Sequence, residues 1–133
     1  MAQHISQLAL LVRDYDEAID FYTRVLGLDL LEDTPLSETK RWVRVRPRGS
    51  EGAGLLLARA ATDEQRAAVG RQTGGRVFLF LETDEFDQDY AGLLEHGVSI
   101  VRPRTEEDFG TVAVFADLYG NLWDLIQRRQ PLG

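Results

Sequence analysis

Cysteine is absent from this chain, which excludes disulfides and thiolate chemistry and leaves histidine, carboxylate, amide or water as the only ligands a metal could find. Histidine is scarce as well, present only as His4 and His96. Basic charge is outweighed: 15 Lys and Arg stand against 22 Asp and Glu, a formal net charge of -7. That balance lacks the cationic footprint that neutralises a phosphate backbone, so no nucleic-acid partner is expected. Long apolar runs are missing too. "LALLV" and "VFLFL" are strand-length, far below the roughly 18 residues that span a bilayer, so no membrane partner is expected. His4, Gln7 and Arg13 interrupt the beginning, which therefore carries no signal-peptide pattern, and a cytoplasmic location is the expectation.

What is present is an ordinary soluble composition, 44% hydrophobic and 28% charged, over 133 residues. That length suits one domain, 1–133, able to bury a core without covalent or metal staples. From Ile5 to Val12 the chain is apolar and rich in branched residues, as a buried strand is. Asp14 and Glu17 have the spacing of a capping box, and Ala18, Phe21, Tyr22, Val25 and Leu26 follow on one helical face until Gly27. "LDLLED", "KRWVRVR" and "GLLLAR" read as strands. Thr62 and Gln65 cap a short connecting helix that Gly70 stops.

The order then repeats. "RVFLFLE" reads as a strand, and Asp84 opens a helix whose Phe86, Tyr90, Leu93 and Leu94 share a face before Gly97 closes it. "VSIVR", "TVAVFA" and "LWDLIQ" complete the set. Leu11 and Leu81, Asp14 and Asp84, and Gly27 and Gly97 are each 70 positions apart. The fold class is α+β, two βαβββ modules: module one about 4–60, a connector about 61–75 and module two about 76–128. Each sheet packs a helix on one face and leaves a concave face for a ligand.

Paired βαβββ units with "LVRDYDEAIDFYTRVLGLDL" at the start and "VFADLYGNLWDLI" at the end resemble the vicinal-oxygen-chelate superfamily, which contains glyoxalases, bleomycin-resistance proteins and extradiol dioxygenases. The resemblance implies a cup, paired in a homodimer, with metal ligands on the first and last strands of each module. Here the matching positions are Gln7 and Asp124. The internal repeat pairs Asp124 with Leu56, and Gln7 with Phe78 if one residue slips, or with Val77 if none does. Two of the four corners are therefore apolar, too few donors for an intact divalent site. No cofactor is expected; a weakly held divalent metal on Gln7 and Asp124 is the alternative. His4 and His96 read as surface or structural residues.

Asp124 interrupts an apolar strand, and a buried carboxylate wants a partner. Its functional reading is an acceptor or catalytic base facing the cup; its bland reading is an acid satisfied by backbone amides or an arginine. Gln7 faces the same choice. Phe78, Phe80 and Glu82 alternate onto the cup face, where the rings line a ligand site or, for Phe80, fill ordinary core, and Glu82 sits at a solvated rim. In "KRWVRVRPR", Lys40, Trp42, Arg44 and Arg46 share one side. Trp42 offers stacking and Arg44 bidentate pairing to an anion, against the plainer reading of a solvated edge strand. "TEEDFG" reads as an acidic loop with a glycine hinge at Gly110. The expected function is a small-molecule pocket protein that binds or sequesters a partly aromatic or anionic compound; a metal-dependent lyase, isomerase or dioxygenase is the alternative.

Overall fold

Val12, Val43, Val45, Leu55 and Leu57 mark one face of a sheet, because alternate residues of neighbouring strands all turn the same way and all are buried. The computed structural model describes residues 1–129, and the chain divides into two compact units, Met1–Val69 and a second beginning at Gly70. In the first, β1 (Gln7–Val12), β2 (Asp29–Pro35), β3 (Arg41–Arg46) and β4 (Gly54–Arg59) form a sheet of order β1-β4-β3-β2. β1 runs parallel to β4, and the other pairs are antiparallel. The helix α1 (Tyr15–Asp20) begins at Asp14, whose carboxylate accepts from the Glu17 amide at 2.9 Å, as its sequence position requires. The helix continues through a π-turn, Phe21–Val25. Ala18 and Tyr22 are fully buried there, and a large apolar side chain so placed contributes about 1.5–3 kcal/mol. Arg41 ties the helix to the sheet, bonding Asp33 at 2.7 Å and Asp16 at 2.9 Å with its guanidinium over the Tyr15 ring.

The connector forms α2 (Asp63–Ala68), capped by Thr62, whose hydroxyl accepts from the Gln65 amide at 3.1 Å. In the second unit β5 (Val77–Glu82), α3 (Phe86–Glu95), β6 (Ser99–Glu107), β7 (Gly110–Ala116) and β8 (Leu122–Arg128) repeat the plan, with sheet order β5-β8-β7-β6. Its core is Ala113, Phe115, Trp123 and Leu125 with Phe86 and Leu93 from the helix, the Phe115 and Trp123 rings stacked 5.7 Å apart. Two βαβββ modules are therefore present, as the sequence predicts.

Several expectations are corrected in detail. Asp84 does not cap α3; Glu85 holds the cap position without a side-chain bond, and Gln127 of β8 accepts from the Phe86 amide at 2.9 Å instead. Leu94 is exposed rather than on the buried helical face, and Phe80 is 68% exposed, not core. β3 is an interior strand, so charge protection of an edge does not explain its arginines. The acidic stretch is not a free loop: Thr105, Glu106 and Glu107 of β6 pair with Val112, Thr111 and Gly110 of β7. Gly110 opens β7 opposite Arg128, and any Cβ there would run into the Gln127 carbonyl, so it is a point of close strand packing rather than a hinge. His4 precedes β1 and is exposed.

Strand pairing also fixes how the halves superpose. Gln7 opens β1 opposite Gly54, and Val77 opens β5 opposite Leu122, so Val77 rather than Phe78 takes the place of Gln7. Phe78 lies in an irregularity between Val77 and Leu79, an inserted residue that makes Leu10, not Leu11, the counterpart of Leu81. Tyr15 and Phe86 then start their helices in step, and the π-turn supplies the extra residue that brings Gly27 and Gly97 back to the original spacing.

Candidate functional site

Each sheet carries its polar groups on the face away from the buried one. In the first unit a registered row runs Ala9, Leu56, Arg44, Glu32 across β1, β4, β3 and β2. Gln7 lies two residues from Ala9 on the same side, and its side-chain carbonyl accepts from Arg44 Nε at 3.0 Å. Arg44 Nη1 stands 3.6 Å from Glu32 Oε1. Trp42, half-buried, shares that face of β3. Sequence reasoning separates Gln7 and Arg44 into different roles; the sheet brings them into one hydrogen bond because β4 alone lies between their strands.

In the second unit the row is Phe80, Asp124, Val114, Arg102. Leu56 and Asp124 hold equivalent positions, each the third residue of its strand and each paired to the parallel neighbour, so the repeat places them as the sequence expects. Asp124 is half-buried, and among the described residues no hydrogen bond to its carboxylate is formed. Burial pushes its carboxyl upward from the ordinary value, opposed in part by the charge of Arg102. Glu82 is exposed and pairs with Arg128 at 2.9 Å, a rim position. Phe78 is half-buried.

The neighbouring acid has the opposite character. Asp117 is 6% exposed and accepts from the Tyr119 and Asn121 amides, from Asn121 Nδ2 and from Trp123 Nε1 at 3.0 Å. It folds the turn ahead of β8 and so aims Asp124 at the open face. Asp117 is not among the residues expected at the site, although an Asp four residues before an Asn in a glycine-containing turn is a local signal for such a loop.

The metal positions implied by the resemblance fit poorly. In the first unit Leu56 is hydrocarbon and the Gln7 oxygen is already held by a guanidinium cation; in the second, Val77 is hydrocarbon and Asp124 alone offers a donor. Neither unit's described residues gather three or more His, Cys, Asp or Glu that would hold an ion.

Residues 4–125 match the Glyoxalase/Bleomycin resistance protein/Dioxygenase superfamily. The chain belongs to that superfamily. It is 58% identical to an uncharacterized protein of Shewanella frigidimarina, over 99% of this chain and 100% of the other. Among solved structures, TnmS3, an antibiotic binding protein from Streptomyces sp. CB03234, is 32% identical with a TM-score of 0.78, covering 96% of this chain and 97% of its own. A glyoxalase/bleomycin resistance protein from the same organism is also 32% identical, with a TM-score of 0.74 and coverage of 92% and 99%. Superfamily membership fixes the scaffold and leaves the chemistry to the site, since one such scaffold hosts many functions.

Proposed function

We propose that this chain binds and sequesters a small, partly aromatic or anionic compound on the open faces of its sheets, without a tightly held metal. The observation that carries the reading is Asp124: a half-buried carboxylate with no hydrogen bond among the described residues, registered beside the exposed ring of Phe80. An acceptor so placed is satisfied by a donor on a ligand, and Phe80 and Phe78 cover the ligand's apolar part. On the first sheet Trp42 and Leu56 supply apolar surface, Arg44 the charge and Gln7 the amide donor. Glu82 stays at the rim. The similarity to an antibiotic binding protein supports a role in holding a compound. Catalysis, where the ligand permits it, would use Asp124 as the base, its proton affinity increased by burial. The working form is a homodimer, in keeping with the superfamily resemblance.

The test is a fluorescence titration of the native protein with flat aromatic compounds, with metal analysis of the same preparation. Expected are quenching that is lost in Trp42→Phe for compounds held on the first sheet, binding of donors such as naphthols to the second sheet that weakens about tenfold in Asp124→Ala, and less than one metal ion per two chains. Stoichiometric metal that disappears in Asp124→Ala would overturn the reading in favour of a metal-dependent enzyme.

A further inference from the structure

The guanidinium of Arg44 is held at one end and open at the other. Its Nε is fixed by Gln7 at 3.0 Å, while Nη1 reaches only 3.6 Å toward Glu32, and among the described residues it makes no other hydrogen bond. Glu32 is itself only loosely engaged, bonded by the Thr34 hydroxyl at 3.2 Å. Arg44 and Glu32 are partly open to solvent, with 31% and 40% of their side chains accessible. Arg46 lies two residues along on the same face of β3 and Trp42 two residues back, so positive charge and a flat ring flank the fork. Asp29 is registered opposite Arg46 as Glu32 is opposite Arg44, and β3 is not an edge strand that needs protective charge.

We propose that Arg44 is the anion subsite of this protein, specific for a flat compound bearing one carboxylate. Gln7 is the positioning residue that presents the fork, and Glu32 is an internal anion that a ligand carboxylate displaces. The proposal rests on the small-compound reading above and gives it a ligand class. A carboxylate matches two parallel N–H groups of a guanidinium with shorter, stronger bonds than the long contact to Glu32 supplies. Leu56, next to Arg44 in the registered row, and Trp42 meet the apolar plane of the same molecule. Glu32 then sets specificity: it neutralises Arg44 when no ligand is present and excludes weak anions that cannot outcompete it.

Calorimetric titration with 2-naphthoate and with its uncharged counterpart 2-naphthamide tests this. The readout is the ratio of the two affinities, which a purely structural role would leave unmoved. Wild type is expected to prefer naphthoate by about tenfold. Arg44→Gln abolishes the preference, and Arg44→Lys, which keeps charge but not the fork, retains about a third of it. Glu32→Gln raises the preference by about three- to tenfold, and Gln7→Leu lowers it about threefold, with circular dichroism showing each variant folded. A wild-type ratio near one, or a Glu32→Gln ratio that does not rise, overturns the subsite while naphthamide binding leaves the pocket reading standing. If neither probe binds wild type at millimolar concentration, both fail.

Discussion

Asp117 and Asp124 lie in one short segment and have opposite fates, decided by what their carboxylates touch. Asp117 is saturated by backbone amides, an asparagine and the indole of Trp123. Replacing it with alanine strands those buried donors, so Asp117→Ala is expected to lose about 2–4 kcal/mol in urea unfolding. Asp124 has no such support, and its carboxyl is raised by desolvation. Below the ordinary value of 3.8 both states are protonated and it contributes nothing. As pH rises from there through the raised folded value, the unfolded chain releases its proton first and stability falls; above that, the penalty is constant. Asp124→Asn is therefore expected to melt about 1–2 °C above wild type at neutral pH without ligand, and no higher at pH 3, while binding less well. Phe80 makes the matching point for an apolar residue. Because its ring is 68% exposed, Phe80→Ser should leave the melting temperature within about 2 °C and weaken aromatic binding, whereas Phe115→Ala should cost about 3–5 kcal/mol.

At the scale of elements, the ends of helices and strands separate what is local from what is not. Asp14 caps α1 through a residue three positions away, and Thr62 caps α2 in the same manner, so both are visible in a short stretch of sequence. The start of α3 is fixed by Gln127, 41 residues distant, whose side chain accepts from Phe86 and donates to the Asp84 carbonyl. No local pattern discloses that pair. Gln127→Ala is expected to destabilise the protein by about 1–2 kcal/mol, and the loss should appear first as faster hydrogen exchange at the first turn of α3. Gly97 and Gly110 divide likewise. Gly97 takes a left-handed φ of 70° with open space around it, so Gly97→Ala costs about 1 kcal/mol. Gly110 has the Gln127 carbonyl where a Cβ would go, and backbone cannot move aside as a flexible side chain does, so Gly110→Ala should cost more than 2 kcal/mol by urea unfolding.

Over the whole molecule, both βαβββ modules were legible because they depend on periodicity, and the superfamily because the stretches at either end of the repeat resemble it. Alternation in strands, a helical stripe, and glycines at matching ends are local signals, and a repeat states them twice. The equivalence of Asp124 with Leu56 followed from that repetition and is what strand pairing places. The insertion at Phe78 was half legible, since matching Tyr15 to Phe86 allows a one-residue slip before the second helix, whereas its compensation by the π-turn was not legible. Sequence by itself determined the residue types on each face: an acid and an amide among hydrocarbons, with cationic residues along one strand. Only tertiary structure decided their partners, because hydrogen bonds such as Gln7 to Arg44 form between strands that are distant in sequence and separated by one intervening strand. Side-chain pairing depends on register across a sheet, which arises when strands assemble and is absent from any one of them.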